Sequence, residues 1–161
     1  MSCMKRVNKI WNHPLYQKHY IKLQDLEKER IFCRHTMEHF LDVARLAYIF
    51  SLERDVQLEK DMIYSAALLH DIGRAEQYTR GTPHEEAGAH ISGEILKDCC
   101  FSTEERAQIL EAISGHRTSQ TQSVLATLIY EADKKSRNCF LCAAEGECYW
   151  PEEKKNMEIK N

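Results

Sequence analysis

Apolar side chains recur at helical spacing through most of this 161-residue chain, and this periodicity limits the folds that are open to it. In the segment 35–51, one apolar stripe consists of Met37, Leu41, Ala44 and Tyr48. Such a stripe indicates an amphipathic helix with one buried face. Sustained alternation of apolar and polar residues is absent from the sequence, and prolines and glycines are few. The pattern predicts an all-α fold, a compact bundle of about six or seven helices.

Helix starts are marked by residues that can cap the first turn. Two capping boxes, Thr82 with Glu85 and Ser102 with Glu105, each predict a helix that begins just after the hydroxyl residue. Ser123 is the predicted N-cap of the last long helix. We therefore expect one domain over residues 1–161, with a motif-bearing core at about 30–137 and a cysteine-containing extension at 138–161.

Composition narrows the class of protein. The chain is 43% hydrophobic and 29% charged, as ordinary globular proteins are. Its net charge of −3 predicts no electrostatic field that would attract DNA, RNA or an anionic membrane. Neither a signal peptide nor a run of 18 apolar residues is present, and seven cysteines without a secretory signal suggest reduced thiols. The expected location is the cytoplasm, and the oligomeric state is left open.

Histidine and aspartate stand on apolar faces at three places. His39 shares a stripe with aliphatic and aromatic residues, and Asp133 shares one with Ala126 and Ile129. The run "SAALLHDIGR" ends an apolar helix in His70 and Asp71. A carboxylate buried without a partner is costly, so such groups are normally paired or bound to metal. Imidazole and carboxylate ligands suit one or two divalent ions of Fe, Mn, Ni, Co or Zn.

The segments "HFLDVARLA", "LLHDIGR" and "IYEADKKSR" together resemble the H…HD…D pattern of the HD superfamily of metal-dependent phosphohydrolases. The resemblance covers roughly residues 30–137, with three motifs in the family's order. It implies an all-helical fold and a metal held by His39, His70, Asp71 and Asp133. It also implies hydrolysis of phosphate ester or anhydride bonds, mostly in nucleotides.

Two further histidines are similar to those of the superfamily's dinuclear branch. The segments "HEEAGAHISGEIL" and "AISGHRTSQ" contain His84 and His116. By resemblance these would hold a second ion, with Asp71 as the bridge; the alternative for His84 is a solvent-facing ring in a capped helix. The "GYP" of cyclic-dinucleotide phosphodiesterases is absent, and the chain is more similar to small bacterial hydrolases of symmetrical dinucleoside tetraphosphates in its size and in its "HxxxGA" and "H-x-T" patterns. His35 competes with His39, but the family register selects His39 as the ligand and leaves His35 as a neighbour.

Catalytic and substrate-binding roles follow from the same resemblance and from charge. Asp71 would position the attacking water, and Arg74, three residues later, is the expected phosphate clamp because a guanidinium matches phosphate oxygens. Lys134 and Arg137 follow Asp133 closely and are expected to contact the substrate, although each could be a solvated surface residue. The expected partner is a small phosphate-containing compound. Two rivals remain: an HD-fold mixed-valent di-iron oxygenase, and a non-catalytic sensor or scaffold stabilised by metal.

The end of the chain presents a separate cysteine pattern. Cys139, Cys142 and Cys148 form a C-x2-C-x5-C run, which is half of a typical zinc or iron–sulfur site. A fourth ligand would have to come from elsewhere in the chain. The candidates are Cys33, Cys99, Cys100 and Cys3. The alternative is a set of reduced thiols without a chemical role.

Overall fold

A computed structural model describes residues 4–115 and 123–160. Over these residues the chain forms α-helices and short 3₁₀ turns and no strand, so the all-α prediction is confirmed. Six of the helices have ten or more residues. The helices are α1 (Lys5–Trp11), α2 (Pro14–Leu26), α3 (Met37–Glu53), α4 (Lys60–Leu69), α5 (Arg74–Arg80), α6 (His84–Asp98), α7 (Thr103–Gly115) and α8 (Val124–Lys135).

Helix α4 lies at the centre of the bundle and packs against α1, α3, α7 and α8. Nearly all of its residues are buried, including the run Ser65–Leu69. A helix that is apolar all round is a core element rather than a surface one. The carboxyl end of α4 therefore places His70 and Asp71 inside the molecule, where both side chains are also buried.

The predicted helix starts are correct at two positions and wrong at one. Ser102 and Glu105 exchange backbone and side-chain hydrogen bonds of 2.7 and 3.1 Å, and the Ser123 hydroxyl accepts a bond from the first turn of α8. The box of Thr82 and Glu85 does not form. Pro83 has an extended backbone, with ψ of 132°, so α6 begins one residue later than predicted and lacks a side-chain cap.

A close backbone crossing sets the position of α6. Gly73, which precedes α5, lies against the backbone of α6, where an added Cβ would overlap the His84 carbonyl oxygen and the Gly88 nitrogen. Only a residue without a side chain allows this approach. The crossing brings the first turn of α6 next to the turn that carries Asp71. Over the described residues, no helix is long and apolar enough to cross a membrane.

Candidate metal centre

Three helix ends converge on one buried cluster. His39 comes from the first turn of α3, His70 and Asp71 follow α4, and Asp133 comes from the last turn of α8. One ligand atom from each of these residues lies within 4.8 Å of the others. The sequence thus located four residues, distant in the chain, that the fold brings to one point.

Short distances between imidazole nitrogens and carboxylate oxygens show that the ligand atoms of the cluster point towards a common centre. His39 Nε2 is 3.2 Å from Asp133 Oδ1. His70 Nε2 is 3.1 Å from Asp71 Oδ2 and 3.6 Å from Asp133 Oδ1. The other nitrogen of His70, Nδ1, donates a 2.6 Å hydrogen bond to the Ala67 carbonyl oxygen, so its proton is on the far side of the ring. Such an outer hydrogen bond orients an imidazole whose Nε2 can bind a metal.

The electrostatics of the cluster favour a cation at its centre. Burial lowers the pKa of His39 to about 4, so its imidazole is neutral and able to act as a ligand at neutral pH. Burial alone would also lower the pKa of His70, but Asp71 and Asp133 outweigh it and raise that pKa to about 10. Hydrogen bonds from His39 and His70 overcome the burial of Asp133 and hold its pKa well below the usual range. A metal ion can take the place of the proton on His70, so the donor set fits a divalent transition metal.

His84 lies on the opposite side of Asp71 from His70. Its ring is fully buried, and Nε2 is 3.2 Å from Asp71 Oδ1, whereas His70 faces Oδ2. The Nδ1 atom of His84 donates to Gln77 Oε1 at 3.0 Å. This is the placement expected of a residue that would share Asp71 between two ions, and it excludes the solvent-facing alternative. His116, the other residue expected at a second ion, lies outside the described residues.

His35 is closer to the centre than the sequence indicated. Its ring is buried, with Nε2 3.7 Å from Asp71 Oδ2 and Nδ1 2.7 Å from Glu27 Oε2. Glu27 also accepts bonds from the His35 backbone nitrogen at 2.8 Å and from the Tyr78 hydroxyl at 2.7 Å. The four-residue spacing from His39 was a signal for His35. The sequence contained no such signal for Glu27, because this residue ends a largely polar helix.

The predicted cationic residues surround an open cavity of about 350 Å³ above the cluster. Arg74 Nε is 3.1 Å from Asp71 Oδ1, and Lys134 Nζ is 2.7 Å from Asp133 Oδ2. Arg137 lines the same cavity and donates a 2.8 Å hydrogen bond to the Arg34 carbonyl. Among the described residues, five cationic and three aromatic side chains line the cavity: Arg30, Arg74, Lys134, Arg137 and Lys154, with Phe32, Tyr149 and Trp150.

Comparison with known proteins decides the family. The sequence pattern of the HD domain matches residues 36–138, which is more than half of the chain. The chain belongs to the HD domain family. The match contains all four residues of the buried His/Asp cluster, which is consistent with an HD metal site.

Similar proteins match this chain over different shares of its length. An uncharacterized protein of Clostridium beijerinckii is 44% identical over 156 residues, 97% of this chain and 99% of its own length. Ribonuclease Y of Enterococcus faecalis is 33% identical over 106 residues, and that of Acetivibrio thermocellus 29% over 125 residues. The matched part covers 64% and 77% of this chain but only 18% and 22% of those ribonucleases.

A solved structure supports the fold. The crystal structure of a predicted HD superfamily hydrolase from an uncultured Thermotogales bacterium superposes with a TM-score of 0.64. It covers 89% of this chain and 80% of its own, at 22% identity. At this identity the likeness concerns the helical architecture alone. The HD-like fold predicted from the motifs is confirmed.

Proposed function

We propose that this HD domain protein is a metal-dependent phosphohydrolase that cleaves an ester or anhydride bond in a small nucleotide or related phosphate compound. The observation that carries the proposal is the position of the buried His/Asp cluster at the floor of a cationic cavity. A hydrolase of this class needs an activated water and positive charge around the phosphoryl oxygens. The cluster would hold the ion that activates the water, and the cationic side chains beside it would supply the positive charge.

The expected ligands of the first ion are His39, His70, Asp71 and Asp133, and those of the second are Asp71, His84 and His116. A bound divalent ion would supply a nucleophilic water at neutral pH and polarise the phosphate. The protein's own contribution is orientation. The outer hydrogen bond of His70 to Ala67 and that of His84 to Gln77 hold the two rings on opposite oxygens of Asp71.

The walls of the cavity have the chemistry of a phosphate and base site. Arg74 is held by Asp71, which positions its guanidinium at the edge of the cluster, where it would bind the phosphate of the proposed substrate. Lys134 and Arg137 add positive charge along the same wall. Trp150 and Tyr149 offer faces on which a nucleobase could stack. Within the nucleotides, we propose symmetrical dinucleoside tetraphosphates as the first substrates to examine, because of the His84 pattern.

Two other activities use similar residues. A di-iron oxygenase would need comparable ligands, but five cations in one cavity favour a polyanionic substrate. A purely structural ion would not require an open cavity beside it. The similarity to ribonuclease Y raises RNA as a substrate, although the chain spans about a fifth of the length of those relatives. A cavity of about 350 Å³ has room for one nucleotide unit at a time, as the end of a dinucleoside tetraphosphate or of an RNA strand would present, so short RNA belongs in the test.

The test is a hydrolysis screen on protein purified without chelator, with dinucleoside tetraphosphates, nucleoside polyphosphates, cyclic dinucleotides and short RNA as substrates. We expect phosphate-bond cleavage of a small nucleotide, and a loss of at least about 10³-fold in Asp71→Ala, together with its metal. The exposed His90 on α6 provides the matched control, His90→Ala, which should keep full activity. Full metal content and turnover in Asp71→Ala would contradict the proposal. Substrate-dependent oxygen uptake without phosphate-bond cleavage would favour the oxygenase.

Elemental analysis of the same variants tests the number of ions. Because His84 faces the second oxygen of Asp71, His84→Ala should lower the metal content from two ions per chain towards one. His90→Ala should leave the content unchanged. An equal metal content in wild type and His84→Ala would reject the dinuclear arrangement and leave the mononuclear one.

A further inference from the structure

A second group of potential metal ligands lies beside the His/Asp cluster but separate from it. Four cysteines line a cavity of about 180 Å³: Cys33, Cys139, Cys142 and Cys148. Cys33 comes from the loop before α3, two residues from His35, whereas the other three belong to the segment after α8. All four are free thiols rather than disulfide partners. Of the cysteines that could supply the fourth ligand, Cys33 is the one that the fold brings to this cavity. Cys99 is buried elsewhere in the core, Cys100 is exposed, and Cys3 lies outside the described residues.

Two short turns bring the three later cysteines to the cavity. The 3₁₀ turn Cys139–Leu141 is closed by a bond from the Cys142 nitrogen to the Cys139 carbonyl at 3.0 Å. The 3₁₀ turn Glu145–Glu147 is followed at once by Cys148, whose nitrogen donates to the Glu145 carbonyl at 3.1 Å. A one-turn C-x2-C loop of this kind is a common half-site for metals.

The segment 138–160 lacks the apolar burial that normally orders a chain of its length. Among its residues, Ala144 is buried, whereas Leu141, Tyr149 and Ile159 are largely exposed. Ordering each residue costs about 1–2 kcal/mol of conformational entropy. Short segments that bury little apolar surface usually depend on disulfides or a bound metal to offset this entropy cost. Its three thiols, together with Cys33 from the loop before α3, are groups that could bind a metal and provide such a link.

The spacing of the sulfurs distinguishes between the metals that thiolates bind. Zinc–sulfur bonds of about 2.3 Å in a tetrahedron place the sulfurs about 3.8 Å apart. Among the described residues, only the His/Asp cluster has three or more ligand atoms within 4.8 Å of one another, so the thiols are spread more widely than one zinc requires. Wide spacing around a cavity of about 180 Å³ suits a polynuclear cluster held by four cysteines.

Charge at the cavity fits the same ligand. Arg137 and Lys155 both line it, and Arg137 favours the thiolate form of Cys33. Burial nevertheless raises the pKa of Cys33, as does each of the other three thiols. Cysteine binds a metal as the thiolate, so a metal held here would deprotonate the thiols.

We propose that Cys33, Cys139, Cys142 and Cys148 ligate a [4Fe–4S] cluster that fixes the segment 138–160 against the catalytic core. Cys33 and Cys148 also border the substrate cavity, to which the same segment contributes Trp150 and Lys154. The cluster would therefore stabilise one wall of that cavity. This proposal is independent of the reaction that the His/Asp cluster performs.

The experiment is anaerobic purification followed by measurement of iron, zinc and acid-labile sulfide. We expect about four sulfides per chain, because sulfide belongs to the proposed cluster and not to the His/Asp site. Asp71→Ala should lose metal from the His/Asp site and retain the sulfide. Cys142→Ser should lose the sulfide, whereas the matched control Cys100→Ser should retain it.

The spectrum of the wild-type protein gives a second readout that does not depend on the folding of any variant. A thiolate-to-iron absorption band that bleaches on reduction with dithionite is expected. Zinc bound without sulfide would overturn the proposal, as would four thiols that all react with an alkylating reagent in the anaerobically purified native protein. Sulfide that is unchanged in folded Cys142→Ser would overturn it as well.

Discussion

At the scale of single residues, the candidate site depends on which of the two ring nitrogens of each histidine makes a hydrogen bond to a protein oxygen outside the cluster. His70, His84 and His35 each donate from Nδ1 to an oxygen outside the cluster, at 2.6, 3.0 and 2.7 Å. Each Nε2 then faces Asp71. The outer partners fix both the tautomer and the direction of the ring, so they are part of the site although they would not touch a metal.

Among these outer partners, Glu27 is the one whose ionisation should measurably change the unfolding free energy. Burial alone would raise its pKa, but hydrogen bonds from His35 and Tyr78 and the charge of His35 lower it from 4.5 to about 2. Because the folded-state pKa is depressed, the contribution to stability is present above about pH 4.5 and is lost as the pH falls towards 2. The unfolding free energy should fall by at most about 3 kcal/mol from this group over that range.

Denaturant unfolding between pH 2 and pH 7 tests this prediction. In Glu27→Gln the part of the pH dependence that belongs to Glu27 should disappear. The neighbouring Asp25 has an exposed side chain on the same helix, so Asp25→Asn is the matched control and should follow the wild type. Identical pH profiles for wild type and Glu27→Gln would show that the carboxylate is not held as described.

At the scale of elements, the site is assembled by the crossing of the turn after α4 with the start of α6. The crossing depends on Gly73, because an added Cβ would overlap backbone atoms of His84 and Gly88, which cannot move as a side-chain end can. Gly73→Ala should lower the unfolding free energy by about 3 kcal/mol or more. It should also weaken metal binding at His84, since α6 must shift.

The control for this prediction lies within α6. A Cβ added at Gly93 meets no atom within 4 Å, so Gly93→Ala should be neutral or stabilise the helix by up to about 1 kcal/mol. Chemical denaturation of the two variants under the same conditions measures the difference. Equal unfolding free energies for Gly73→Ala and Gly93→Ala would show that the two backbones do not approach as closely as described.

At the scale of the whole molecule, the buried cluster couples metal binding to folding. The four residues come from three separate helix ends, so an unfolded chain has no preformed site. Free Mn²⁺ at 100 times its dissociation constant should add about 2.7 kcal/mol to the unfolding free energy. For a chain of this length, that corresponds to a rise of roughly 5–10 °C in Tm.

Thermal unfolding with and without Mn²⁺, after treatment with chelator, measures this coupling. Asp71→Ala removes the residue that faces both His70 and His84, so its Tm should not respond to the ion. A metal-dependent rise in Tm of the same size in Asp71→Ala would place the stabilising ion elsewhere in the molecule.

The local pattern of the sequence was sufficient for the helical fold and placed histidine and aspartate on buried helix faces, whereas the resemblance to the HD superfamily selected His39, His70, Asp71 and Asp133 as one ligand set. Helix periodicity reports which side of a helix is buried, and His39 and Asp133 both stand on apolar stripes. The apolar run before His70 placed the HD pair at the end of a core helix. These features depend on residues within a few turns of one another, which is the range over which periodicity carries information.

Tertiary structure alone decided the surroundings of that cluster. The burial of His84 depends on the backbone crossing at Gly73, and the pairing of His35 with Glu27 depends on how the loop before α3 returns to the end of α2. The selection of Cys33 depends on the path of the chain after α8. Each of these contacts joins different elements, and its distance is set by how the helices pack and how the loops return rather than by any local repeat.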